Sequence, residues 1–169
     1  FKGSVPRYSF DGYSGRLIIY WRLTSDEGKA RLKEDAALKA KAEALGSKDG
    51  DYMIEVIDAF EAKTVGTMML ETGKGSFSVF SGQSEREWLV LRDSEDRVLV
   101  YSMNDGTLRH RFFGSHAAIN PRRNMLVVEN FPGDVALYNL DSGDKLTDFR
   151  LNGSLAFSRF SLDGNRLFL

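Results

Sequence analysis

The dipeptide Gly-Ser occurs at Gly3-Ser4, Gly75-Ser76, Gly114-Ser115 and Gly153-Ser154. The last three pairs are 39 residues apart, and the first interval of 72 is one such period plus 33 extra residues. A period of this size restricts the chain to repeat architectures, in which each unit buries its faces against its neighbours. Two further features keep the same order. Arg7-Tyr8-Ser9-Phe10-Asp11-Gly12 near the start matches Arg159-Phe160-Ser161-Leu162-Asp163-Gly164 near the end, and each leads into an apolar run. The middle units keep this slot in degraded form, as Phe80-Ser81-Gly82-Gln83 and Ile119-Asn120-Pro121-Arg122. The third feature is a hairpin: Val98 to Tyr101, then Asn104-Asp105-Gly106, then Thr107-Leu108. It returns as Val135 to Tyr138, Asp141-Ser142-Gly143 and Lys145-Leu146, and more loosely from Ile54 to Val65.

Each unit reads as four short strands, rich in β-branched and aromatic residues and separated by Gly, Asn and Asp turns. They are expected near 4–10, 16–23, 51–59 and 64–71, then near 76–80, 87–92, 97–103 and 107–113. The third unit has them near 116–120, 124–129, 134–140 and 145–151, and the fourth supplies 154–160 and a strand from 166.

Four-stranded units of about 40 residues mark β-propeller blades. The F-S-x-D-G-x-R-L turn between a blade's first two strands, carried by Phe160 to Leu167 and, with an inserted pair, by Tyr8 to Leu17, resembles that of the WD-repeat and YVTN-type propeller superfamily. The Trp-Asp slot of strict WD repeats holds Tyr101-Ser102, Tyr138-Asn139 and Ile57-Asp58, and only Gly114-Ser115-His116 approaches the Gly-His signature, so the looser bacterial YVTN-like form fits better. The resemblance implies an all-β partial propeller of antiparallel blades spanning 1–169 as a single segment. Blade one would cover 3–72 with a helical insertion at 25–50, blade two 75–113, blade three 114–152 and a partial blade four 153–169.

The insertion falls between the second and third strands of the first unit. Thr24 and Glu27 have capping-box spacing, Asp26 suits a helix N-terminus, and Lys29 to Leu45 is dense in good helix formers. Gly46 is a natural stop before Ser47-Lys48-Asp49-Gly50, so one helix is expected over about 25–45. Leu38, Ala42 and Leu45 share a face while Leu32 points elsewhere, and six basic residues balance six acidic ones from Asp26 to Asp49. A partner-docking helix and a solvated decoration both fit so narrow an apolar stripe.

With 42% hydrophobic and 12% aromatic residues the chain cannot be wholly disordered, and no apolar run reaches membrane-spanning length. A net charge of −1 gives no reason to expect nucleic acid or an anionic surface, and the absence of cysteine removes disulfides and thiolate metal sites. His110 and His116, the only imidazoles, have no further ligands at metal spacing. Asp93, Glu95 and Asp96 lack the alternating pattern of a calcium loop and read as a turn. No G-x-S-x-G elbow or phosphate loop is present, although 66–75 includes Gly-Lys-Gly. Arg109, Arg111, Arg122 and Arg123 are the nearest thing to a basic patch, diluted by Asp105, Glu129 and Asp134. Trp21, Trp88, Tyr101 and Tyr138 stand where packing between blades wants large rings.

No catalytic, cofactor-binding or metal-ligating residue is therefore expected. The leading reading is a non-catalytic scaffold with a protein partner. An accessory propeller of a larger hydrolase, as in prolyl-oligopeptidase-like peptidases, and a periplasmic or surface-associated propeller are the alternatives. Phe1-Lys2-Gly3-Ser4 and the apolar Arg166-Leu167-Phe168-Leu169 both look cut, so the remaining blades are expected from a parent chain or from a self-associated copy.

Overall fold

The computed structural model describes residues 7–11, 15–23, 25–44, 52–70, 77–81 and 88–169. The pairs Gly3-Ser4 and Gly75-Ser76, together with Thr24, Leu45 and the Gly46 to Gly50 stop, lie outside the described residues. The chain divides into two compact units, one of Phe1–Gly75 with Met103–Thr107 and one of Ser76–Ser102 with Leu108–Leu169.

In the first unit, β1 (Arg7–Asp11), β2 (Arg16–Arg22), β3 (Tyr52–Asp58) and β4 (Lys63–Met69) form an antiparallel sheet in chain order. The second unit repeats that order with β5 (Phe77–Ser81), β6 (Trp88–Asp93), β7 (Arg97–Ser102) and β8 (Leu108–Phe113). It does so again with β9 (His116–Ile119), β10 (Met125–Phe131), β11 (Asp134–Asn139) and β12 (Lys145–Arg150). A two-stranded sheet, β13 (Arg159–Phe160) and β14 (Leu167–Phe168), follows. The fold class is all-β, built of antiparallel four-stranded sheets each in chain order, the strand order of propeller blades, with an α-helical insertion between β2 and β3.

Pairing registers show how closely the sheets repeat. Leu89 faces Tyr101 across β6 and β7, and Leu126 faces Tyr138 across β10 and β11. The register between the last two strands slips at Val56/Ile57, Val100/Tyr101 and Leu137/Tyr138, one place in each sheet. The hairpins that follow each turn on a residue of positive φ: Ala62 at 53°, Gly106 at 68° and Gly143 at 82°. A residue with a Cβ is disfavoured there, so Ala62 carries strain that the two glycines avoid.

β10 is buried on both faces. Leu126 and Val128 join Val90, Val98, Val100, Ala117 and Leu140, flanked by Trp88, Phe112, Ile119 and Tyr138. Val127 points the other way and joins Ala118, Val135, Leu155 and Phe160. Each such side chain contributes roughly 1.5–3 kcal/mol by leaving water, which makes β10 the spine of this unit. The first strand of the two-stranded sheet is much shorter than the 154–160 run expected. Ser154 and Leu155 instead direct a hydroxyl and an amide to the Glu129 carboxylate, leaving only Arg159–Phe160 to pair.

The insertion is two helices, not one: α1 (Asp26–Glu34) and α2 (Ala36–Ala44). Asp35 breaks them with extended backbone, and its carboxylate accepts the Leu38 amide at 3.0 Å. Asp favours that capping geometry over a helix interior. Ser25 caps α1 by accepting the Gly28 amide at 3.1 Å. The break also changes the apolar face. Leu32 does not point away but packs with Leu38, Ala42, Leu23, Met53 and Met69 on the first sheet. Among the described residues no helix is long and apolar enough to cross a membrane.

Candidate functional site: polar anchors and exposed aromatics of the second unit

Glu129 is the most constrained polar group described. It stands near the end of β10 with no exposed surface. Its Oε1 accepts the amides of Gly133 and Leu155, each at 2.8 Å. Its Oε2 accepts the Ser115 hydroxyl at 2.8 Å and the Ser154 hydroxyl at 3.2 Å, and lies 2.9 Å from His116 Nδ1. Burial alone would raise the carboxyl pKa, but the amides of Gly133 and Leu155, the Ser115 hydroxyl and His116 outweigh it and bring it down to about 2. One carboxylate thus ties β9, the β10–β11 turn and residues 154–155 together. Two of the Gly-Ser pairs contribute their serines to it.

Ser115, His116 and Glu129 have the residue types of a catalytic triad but not its geometry. In a triad the imidazole bonds the acid with one nitrogen and the serine with the other. Here the same Nδ1 faces both Glu129 and, at 3.2 Å, Ser115 Oγ. The serine proton goes to the carboxylate, so nothing activates the hydroxyl as a nucleophile.

In the preceding sheet, Arg92 holds the place of Glu129 and donates from Nη1 to the Ser115 carbonyl. The same strand position therefore anchors the next Gly-Ser pair in both sheets, through a cation in one and an anion in the other. Sequence reasoning noticed Glu129 only as a neighbour of arginines. The signal was there: a charge closing an apolar run, two dozen residues before the next Gly-Ser.

The other singled-out residues are similarly occupied. His110 Nε2 lies 2.7 Å from the Leu140 carbonyl oxygen. Asp93 is buried, accepts the amides of Glu95 and Arg97 at 3.0 Å and pairs with the Arg97 guanidinium at 2.6 Å, while Glu95 and Asp96 stand exposed in the turn. Among the described residues no three acidic or imidazole side chains come together as a metal site. Arg109 and Arg111 are exposed on β8; Arg122 and Arg123 lie in the β9–β10 turn, where Arg123 donates to Asn165. Trp88 donates to Asn124 at 2.6 Å, Tyr138 stacks at 4.3 Å on Phe112, and Tyr101 is buried. In the first unit Trp21 packs beside the helices. There Arg31 of α1 grips the buried Glu55 through Nε and Nη2, and Lys41 of α2 donates to the Thr67 carbonyl at 2.8 Å.

The exposed aromatics were not legible as a group. Phe113 at the end of β8 is 65% exposed and Phe131 at the end of β10 is 71% exposed. Asn130 connects them, donating to the Phe113 carbonyl at 2.7 Å while accepting from the Tyr138 hydroxyl at 3.2 Å.

No family model and no curated protein matches the chain. Among solved structures, the crystal structure of BamB from Moraxella catarrhalis is similar over 90% of this chain, at 9% identity and a TM-score of 0.48. The chain spans 41% of that structure's chain, about two-fifths of its length. The fold assignment stands on strand pairing, independently of this likeness.

Proposed function

We propose that the chain is a non-catalytic scaffold, a propeller segment of the loose YVTN-like kind that docks a protein through the end of the second unit bearing Phe113 and Phe131. The carrying observation is a contrast in how side chains are used. The acids, imidazoles and the serine that could do chemistry are engaged in holding the sheets, whereas Phe113 and Phe131, the most exposed aromatics of this unit, are left in water at strand ends that Asn130 links through the Phe113 carbonyl. Exposed aromatics at the ends of well-paired strands are the side chains that anchor protein interfaces.

A photo-crosslinking residue placed at Phe131, with a control at exposed Arg122 at the other end of β10, tests this in cells of the source organism. The expected result is a discrete protein adduct from position 131 and none from 122. The same adducts from both positions, or none from 131, would overturn it.

A further inference from the structure

Glu129 takes a serine from the links that lead out of two consecutive sheets, and the two links differ in length. After β8 the Gly114 amide donates to the Asp96 carbonyl at 2.8 Å, and Ser115 follows at once. After β12 the matching bond runs from the Leu151 amide to the Gly133 carbonyl, also at 2.8 Å, but Asn152 and Gly153 come before Ser154. These two residues are extra to the repeat. On either side the chain is held, by Leu151 on Gly133 and by Ser154 and Leu155 on Glu129. Between those holds Asn152 and Gly153 are exposed, and among the described residues neither the Asn152 side chain nor the Gly153 amide has a hydrogen-bond partner. They are also the sequence's one Asn-Gly pair.

An Asn-Gly pair carries its own chemistry. The side-chain carbonyl carbon is an electrophile, and the following amide nitrogen reaches it to close a five-membered ring. Glycine favours closure because no Cβ shields that nitrogen and the backbone turns freely. Asp163-Gly164 shows the arrangement that suppresses it. There the Gly164 amide donates to the Ser161 carbonyl at 2.9 Å, and the Asp163 carboxylate accepts from the Ser161 hydroxyl and the Asn165 amide. At Asn152-Gly153 nothing described holds the two groups apart.

We infer that Asn152 is a self-modification site, whose deamidation slackens the hold of Glu129 on the link after β12. The Gly153 nitrogen bonds to Asn152 Cγ, the Cγ–Nδ2 bond breaks, and Nδ2 leaves as ammonia with the Gly153 amide proton. Water then opens the succinimide at either carbonyl. One product is an aspartyl residue; the other, isoaspartyl, routes the main chain through Cβ and Cγ and lengthens it by one atom. Both put a carboxylate into the link that brings Ser154 and Leu155 to the Glu129 carboxylate. Added length and like charge both work against the bond from the Leu155 amide to Glu129. The site needs no partner and is independent of the scaffold reading.

The test incubates the intact protein, folded in neutral buffer, and maps its peptides by mass spectrometry over weeks. The peptide bearing Asn152 should gain one mass unit and split into aspartyl and isoaspartyl forms, close to the rate of a synthetic peptide of residues 149–157, while the other asparagines stay intact. Gly153→Ala should bring Asn152 down to the rate of those others. The Gly153 backbone is not left-handed and a Cβ there would meet nothing within 4 Å among the described residues, so this variant leaves the fold intact. In the isoaspartyl form the Leu155 amide should exchange about tenfold faster than in the unmodified protein, the worth of one hydrogen bond, with the amides of Leu126 and Val127 unchanged. Retention of Asn152 in the folded protein while the peptide deamidates, a rate indifferent to Gly153→Ala, or equal Leu155 exchange in the two forms would each overturn the inference.

Discussion

The second and third sheets share strand order and the place where the register slips between their last two strands, yet only the third slips again at Glu129/Phe131, and the two differ at two side-chain positions. At the end of the second strand one has Arg92 and the other Glu129. On the fourth strand Phe112 is partly buried against Tyr138, and Phe149 is 36% exposed. The backbone repeat sets where an anchor and an aromatic stand; the neighbouring chain segment decides what each is worth. Arg92 is partly exposed, donates to the Ser115 carbonyl and lies 3.8 Å from the Asp96 carboxylate, while Glu129 is wholly buried, accepts from two amides and two hydroxyls and lies 2.9 Å from His116 Nδ1. Identical slots can therefore differ severalfold in energetic weight.

The largest test of this difference is to remove both anchors. Glu129→Ala should cost about 3–5 kcal/mol in urea unfolding, because it strands the buried amides of Gly133 and Leu155 along with the hydroxyls. Arg92→Ala should cost about 1 kcal/mol. Equal costs would break the comparison. Acid sharpens it. The folded pKa of Glu129 lies near 2, below its ordinary 4.5, so its stabilisation is complete above pH 4.5 and is lost as pH falls toward 2. Unfolding followed through that window should show a steeper loss in the wild type than in Glu129→Gln.

The aromatic pair comes next. Phe112→Ala should destabilise by about 2–3 kcal/mol and Phe149→Ala, whose ring is 36% exposed, by about 1 kcal/mol, both read from denaturation midpoints.

The hairpins give the smallest effects. Gly143→Ala should cost about 1–2 kcal/mol, since its Cβ would meet a positive φ and lie 2.8 Å from His110 Nδ1. Ala62→Gly at the matching place in the first sheet should gain up to about 1 kcal/mol, measured by thermal unfolding.

These positions also show what could be read from sequence. The hairpins were legible because Gly106 and Gly143 mark the backbone conformation that the turn demands, and the strands because β-branched runs alternate with such turns. The helical insertion was legible as helix but not as two helices, because Ala and Lys propensity on both sides masked the capping preference of Asp35. Glu129 was missed because its worth comes from amides at Gly133 and Leu155, which only the folded chain brings to it. Phe113 and Phe131 lie in apolar strand ends where core and surface aromatics look alike. Their exposure depends on what the sheets leave uncovered.

Hydrogen exchange measured amide by amide along β8 and β12 tests the account most directly. An outer strand held under a neighbouring sheet should open only when the unit unfolds, whereas one without that cover should open on its own. The account predicts that amides of Leu108–Phe113 exchange at the rate of global unfolding and those of Lys145–Arg150 at least a hundredfold faster. Equal protection along both strands would contradict it.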